Sequence, residues 1–219
     1  MNLDRMSKKV VIIDYQLGNL FSVQQACAYL GHPAIISSRP EDLLQSDYAI
    51  LPGVGAFADA MENLNNFGLT GAIHEYVAKG KPLMGVCLGL QLLLTESDEF
   101  GSTKGLNLLP GTVKKFPVQT LAGDTFKVPQ IQWNTIQEPA PAKWKDTPLQ
   151  CCRPGDFMYF VHSYYAVPAN KQCVLTTTTY GMQEYCSAVI SDNIFATQFH
   201  PEKSGLYGVD IYKEWFSLF

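Results

Sequence analysis

Val10-Val11-Ile12-Ile13 is an unbroken run of β-branched residues with no polar face, and it constrains the fold more than any other stretch. A strand apolar on both sides must be covered on both sides, as a parallel strand inside an α/β sheet is. The next forty residues agree. Leu20, Val23, Ala26, Cys27 and Leu30 share one helical face with Gly31 at the expected C-cap, and Ala34-Ile35-Ile36 and Tyr48-Ala49-Ile50-Leu51 read as the next strands. Strand, helix, strand at this spacing predicts a parallel crossover, hence an open, twisted, mostly parallel sheet with helices on both faces. Further helices are expected from near Phe57 and through Ile73, Val77 and Ala78.

Beyond Glu99 the texture changes. Short alternating strands broken by Pro and Gly are predicted at Val113 to Phe116, Cys151-Cys152, Phe157 to Val161, Val174 to Thr179 and Tyr185 to Ile190. They are expected to form an antiparallel extension of the sheet, because no flexible linker separates them from it. Phe195 to Phe199 reads as a last strand and Gly208 to Phe219 as an amphipathic helix. Residues 1–7 are expected to be a disordered extension and 8–219 a single domain.

Composition narrows the function. A formal charge of −4, with lysines and arginines scattered among 219 residues, argues against phosphate-backbone binding as the main task. No apolar run approaches the ~18 residues that cross a bilayer, and Met1 to Lys9 carries no apolar signal segment. The six cysteines show neither disulfide-framework spacing nor a Cys-x-x-Cys pair, so a reducing, cytoplasmic setting without structural zinc is expected.

One cysteine stands apart. In Gly85-Val86-Cys87-Leu88-Gly89-Leu90-Gln91 an apolar strand, Pro82 to Val86, passes into a helical pattern, Leu88 to Thr95. A side chain on such a turn is presented at the strand's carboxyl end, and the helix N-terminus favours thiolate and supplies N–H groups for an oxyanion. Taken alone, the pattern also suits an inert buried cysteine. Pro52-Gly53-Val54-Gly55 ends a neighbouring strand at the same edge, where ligands of open α/β sheets bind.

A nucleophilic thiol needs a base. Of four histidines, His32 follows a helix cap and His74 lies within a helix, positions that suit surface or packing roles. His162 ends a strand, where facing a ligand and packing are both open. His200 also ends a strand, Pro201 stiffens its exit, and Glu202 stands where a carboxylate can orient the imidazole, completing a Cys-His-Glu triad.

These residues carry a resemblance. Gly85 to Gln91 with Phe199-His200-Pro201-Glu202 resembles the signature of class I glutamine amidotransferases, the triad type. Asp14-Tyr15 with Gly18-Asn19-Leu20, Leu51 to Phe57, Val128-Pro129 with Trp133-Asn134, Tyr159 to Tyr164, and His200 to Gly205 are similar to the glutaminase subunits of imidazole glycerol phosphate synthases. The likeness runs from about Val10 to Phe219. It implies that Cys87 attacks the side-chain amide of glutamine, His200 moves the proton and Glu202 fixes His200, without a cofactor or metal. Backbone N–H groups of Gly53, Val54 and Leu88 would hold the oxyanion, the Gly53-Val54 peptide being one that flips in this family. Gln91, Glu99, Ser163 and Tyr164 match glutamine-binding positions. The ammonia is implied to pass to a HisF-like cyclase subunit of (β/α)8-barrel fold in a heterodimer, which forms imidazole glycerol phosphate and the purine-pathway carboxamide ribonucleotide, with idle glutaminase activity low. Asn19, Trp133, Asn134, Tyr159 and Lys203 match positions at that interface and ammonia passage, and Trp133 also suits a core site.

The chain departs from the family in having Gln16 where glycine is usual, and Gln130 and Gln132 where histidine and glycine are usual. The same residues admit two other readings: a paralogous glutaminase subunit serving a surface-polysaccharide sugar pathway, and a non-catalytic α/β thiol sensor or binding protein. The sensor has no need of His200 and Glu202. An α/β-hydrolase with a cysteine elbow would place its acid before its histidine, the reverse of the order here.

Overall fold

The computed structural model describes residues 8–117 and 127–219, so the expected extension at 1–7 lies outside the described residues. The parallel half comprises β1 (Val10–Ile13), α1 (Leu20–Tyr29), β2 (Ala34–Ser37), α2 (Pro40–Gln45), β3 (Tyr48–Gly53), α3 (Phe57–Asn66), α4 (Leu69–Ala78), β4 (Leu83–Cys87) and α5 (Leu88–Leu92). Then come β5 (Glu96–Ser97), β6 (Thr103–Lys104), β7 (Gly111–Lys115), β8 (Gln130–Thr135), β9 (Phe157–His162), β10 (Tyr164–Pro168), β11 (Val174–Tyr180), β12 (Gln183–Ser191), β13 (Ile194–Thr197) and α6 (Gly205–Leu218).

Among the described residues, the main sheet runs β2-β1-β3-β4-β13-β12-β10-β7-β5-β6, with β11 beside β12. β1, β2, β3, β4 and β13 are parallel, whereas β13, β12, β10 and β7 are joined antiparallel in succession, and β7 then pairs parallel with β5. β13 is therefore the seam. It pairs parallel with β4 on one side and antiparallel with β12 on the other. β8 and β9 form a separate two-stranded ribbon.

Alternation along the buried strands divides the core. Val11, Ile13, Ala49, Leu51 and Leu83 face Leu43, Phe57, Leu64 and Ile73 of α2, α3 and α4. Val10, Ile12, Ile50, Met84 and Val86 face Val23 and Cys27 of α1 and Ile211, Tyr212 and Trp215 of α6. Each such buried side chain contributes about 1.5–3 kcal/mol, and both faces are covered, as Val10 to Ile13 requires. Among the described residues no helix is long and apolar enough to cross a membrane.

Four expectations need correction. Cys151 and Cys152 lie in turns, not a strand, where Cys152 N bonds back to Leu149 O at 2.9 Å. The helix after Cys87 ends at Leu92, short of Thr95, and the last helix starts at Gly205, ahead of Gly208. Strand β13 ends at Thr197, so His200 does not end a strand but caps a short 3-10 turn, Pro201–Lys203.

Candidate active site

The carboxyl edge of the sheet gathers the residues. Gly53 and Cys87 are register partners at the ends of β3 and β4. Cys87 has φ +56° and ψ −107°, a strained conformation for a residue with a side chain. Its neighbours explain how the chain reaches it. A Cβ on Gly89 would fall 1.8 Å from the Leu51 carbonyl oxygen, and one on Gly85 would meet Ala196 Cβ at 3.0 Å. Only glycine lets α5 settle on β3 at that distance and hold the thiol at the turn. Because α5 has five residues, its dipole is smaller than that of the longer helix predicted.

The imidazole comes from the seam. His200 N donates to Tyr159 O at 2.9 Å and Ser204 Oγ donates to His200 O at 2.7 Å, while Ser204 Oγ also accepts from Tyr159 N at 3.0 Å. This braces the 3-10 turn against β9. His200 Nδ1 pairs with Glu202 Oε1 at 2.7 Å, with side chains 3% and 2% exposed. Burial opposes charge on His200, yet Cys87 and Glu202 together raise its pKa to about 10. Cys87 acts on the ring both by charge and as a hydrogen-bonding group, but its geometry is too loose to give Nε2 a hydrogen-bond partner among the described residues. Such contacts tighten on substrate binding in many active sites.

A cleft of about 240 Å³ opens beside the thiol, lined by Val54, Gly55, Cys87, Leu88, Gln91, Glu99, Ser163 and Tyr164 among others. Every expected glutamine-binding residue is there. Gln91 Nε2 donates to Tyr164 O at 2.8 Å and to Gln198 Oε1 at 3.0 Å, so its free group is the carbonyl oxygen. Glu99 is no ordinary surface carboxylate: it is 8% exposed and its Oε2 accepts from Phe57 N at 2.7 Å, capping α3 where Ala56 has no capping side chain. Burial raises its pKa.

Residues singled out in the sequence also take supporting places. His162 is buried and pushed down to about 3 by that burial, so it is a neutral hydrogen-bonding group; Nδ1 lies 2.8 Å from Tyr164 O. Asn19 caps α1, its side chain accepting from Ser22 N. Trp133 is 49% exposed and so not core; its ring meets Tyr159 edge-on at 6.1 Å, and Lys203 lies over Tyr159 at 6.0 Å. Asn134 Nδ2 donates to Thr179 O.

The departures have local consequences. Gln16 adopts φ +69°, which glycine reaches without strain. Gln130 is fully buried and accepts from Tyr185 Oη at 2.9 Å, whereas Gln132 is exposed. Sequence reasoning missed Gln198, which is fully buried and donates from Nε2 to Cys87 Sγ at 3.6 Å. Its place two residues before His200 was the available signal. It also missed Tyr15, whose hydroxyl donates to Pro52 O at 2.8 Å and occupies the space a Cβ on Gly53 would need. Among the described residues no group of three or more His, Cys, Asp or Glu is placed to hold a metal ion, and all six cysteines are free thiols.

Comparison with known proteins agrees with this arrangement. The family model of "Glutamine amidotransferase class-I" matches residues 11–216. The chain is 46% identical to the "Imidazole glycerol phosphate synthase subunit HisH" of Syntrophotalea carbinolica over 93% of this chain and 97% of that one. It is 43% identical to the protein of that name from Geobacter sulfurreducens, over 94% and 96%. Among solved structures, PurLQS from Thermotoga maritima superposes with a TM-score of 0.70 at 17% identity, covering 97% of this chain and 99% of that one. The glutaminase domain of Trypanosoma brucei CTPS with bound acivicin gives 0.59 at 16%, covering 95% and 93%. These structural likenesses speak for the fold, and the sequence matches for descent: the chain belongs to the class-I glutamine amidotransferase family.

Proposed function

We propose that this chain is the glutaminase subunit of an imidazole glycerol phosphate synthase, hydrolysing L-glutamine to glutamate and ammonia with Cys87, His200 and Glu202. The observation that carries this is the buried 2.7 Å pair between His200 Nδ1 and Glu202 Oε1, set beside a cysteine in a strained turn. The Cys87 thiolate attacks the side-chain amide carbon of glutamine, and the oxyanion is received by backbone N–H groups of Leu88 and the Gly53-Val54 segment. As the C–N bond breaks, the His200 imidazolium gives its proton to the leaving nitrogen, releasing ammonia. Neutral His200 Nε2 then takes a proton from water, whose oxygen attacks the γ-glutamyl thioester. Collapse expels the thiolate and leaves glutamate. Glu202 holds the imidazolium and keeps Nε2 aimed at the sulfur.

Substrate orientation is set by hydrogen-bond capacity. Because both Nε2 hydrogens of Gln91 are committed, its oxygen suits the α-ammonium of glutamine. Glu99 adds negative charge for the same group. Ser163 and Tyr164 present backbone for the α-carboxylate.

The partner is a cyclase subunit of (β/α)8-barrel fold forming a heterodimer in the cytoplasm, where the ammonia enters imidazole glycerol phosphate. Residues on one face of the β8–β9 ribbon support a docking surface: Ile131, Trp133 and Phe157 are 59%, 49% and 57% exposed. Tyr159 links that face to the triad, its ring 6.1 Å from Trp133 and 6.4 Å from His200. The resemblance assigns Asn19, Asn134 and Lys203 to the interface as well.

The test uses the reconstituted complex. Cys87→Ala abolishes glutamine-dependent synthesis while ammonia-dependent synthesis persists, and unchanged glutamine-dependent turnover contradicts the assignment. Restoring growth of a histidine auxotroph together with the cognate cyclase separates this pathway from a surface-sugar paralogue.

A further inference from the structure

Glu202 is held on one side only. Oε1 receives His200 Nδ1, but Oε2 is buried with no hydrogen-bond partner among the described residues. Leaving such an oxygen bare costs on the order of 1–3 kcal/mol, and more when it carries charge. Tyr212 on α6 is in the converse position: it is fully buried, and its hydroxyl has no partner among the described residues. One group is an unused acceptor and the other an unused donor.

The packing of α6 brings them to the same place. Gly208 lies so close to the triad turn that a Cβ there would fall 1.9 Å from Pro201 O, and Tyr212 follows one helical turn later on the same face. The two groups also sense each other. Burial is the largest influence raising the Tyr212 phenol, the Glu202 charge is next, and Cys27 of α1 comes third. Cys27 is itself pushed up to about 12 by burial and so stays neutral over the working range.

We propose that Tyr212 is a positioning residue for the triad: its hydroxyl donates to Glu202 Oε2 through one ordered water and fixes the carboxylate that aims His200. The inference rests on the glutaminase reading above. Its consequences are specific. With the donor removed, the carboxylate is less well satisfied as an anion, so the Glu202–His200 pair binds its proton more tightly and orients less well. Tyr212→Phe keeps the ring and its packing. In the complex it should lower glutamine-dependent kcat by roughly three- to tenfold, with KM and ammonia-dependent synthesis unchanged. The alkaline limb of the rate profile, set by His200 near pH 10, should move to higher pH.

The deciding experiment is the double-mutant cycle of Tyr212→Phe with Glu202→Gln in the complex, with Trp215→Phe alongside because Trp215 Nε1 is also buried without a partner among the described residues. The proposal expects the Tyr212 effect to vanish in the Glu202→Gln background and Trp215→Phe to leave the alkaline limb in place. An equal loss in both backgrounds, an unmoved limb in Tyr212→Phe, or a limb moved by Trp215→Phe instead overturns it. Absence of glutaminase activity from the wild-type complex in the same assay overturns the glutaminase reading itself and is thereby distinguishable.

Discussion

The parallel half and the antiparallel extension reach the same edge by different means. In the parallel half the backbone itself does the positioning: Cys87 is trapped at φ +56° because Gly85 and Gly89 let β4 and α5 close on their neighbours. In the extension and at its seam, hydrogen bonds do it, through Tyr159, Ser204 and the 3-10 turn that carries His200 and Glu202. The nucleophile thus sits on a steric device and its base on a polar one. They should fail differently.

The largest effect is expected from the steric device. Gly89→Ala places a Cβ 1.8 Å from a backbone oxygen that cannot move aside, so the parallel half must shift. Overpacking of this kind costs about 1–3 kcal/mol, and denaturant unfolding should show at least that loss together with a dead glutaminase. Gly85→Ala, whose Cβ would meet Ala196 Cβ at 3.0 Å and the Gly89 carbonyl at 3.1 Å, should be milder. Equal costs would remove the distinction between a severe clash and tight packing.

The polar device should lose function before stability. Glu202→Gln should lower glutamine-dependent kcat on the order of 10²-fold, within the range for general acid–base groups, with stability changed far less. It should also move the alkaline limb downwards from about pH 10, because Glu202 is one of the groups that raise His200. Stability shares that pH dependence. A raised histidine contributes stability that is full below its unfolded value of about 6.5 and lost as pH rises through its folded value, here about 10. Urea unfolding between pH 6 and 10 should show that loss in wild type and a smaller part of it in Glu202→Gln, since Cys87 raises His200 as well.

Smaller effects sharpen the contrast at the surface. Trp133→Ala on the exposed ribbon should leave the unfolding of the isolated chain almost unchanged yet weaken binding to the cyclase by at least ~1–2 kcal/mol, as hot-spot aromatics do. Lys79→Ala breaks the Lys79–Glu75 pair on the outside of α4, in which both side chains are about half exposed. It should cost no more than about 0.5 kcal/mol, a baseline for the parallel half away from the site.

The same contrast explains what is legible in the sequence. Val10 to Ile13, Tyr48 to Leu51 and the Cys87 strand are apolar on both faces, so burial alone dictates their structure, and their observed bounds lie close to the expected ones. Local pattern fails where tertiary contacts decide. β8 alternates as a strand does, but its sense is inverted: Gln130 points into the core while Ile131 and Trp133 face outwards, so hydrophobicity misplaces its buried face. Cys151-Cys152 is apolar and reads as strand, yet it is held in turns. The triad is visible because chemistry needs those residue types in that order. Gln198 and Tyr15 are not, since nothing in a lone sequence says that a polar side chain will be buried against a group 111 or 37 residues away.

The central claim is that Cys87 forms a covalent γ-glutamyl intermediate that His200 helps to hydrolyse. Rapid acid quenching of the wild-type cyclase complex while it turns over glutamine, followed by mass analysis of its peptides, tests this directly. A γ-glutamyl adduct on the Cys87 peptide, absent in Cys87→Ser and absent from the other five cysteines, is the predicted result. An adduct on any other cysteine, or none while glutamine is still turned over, would contradict the account.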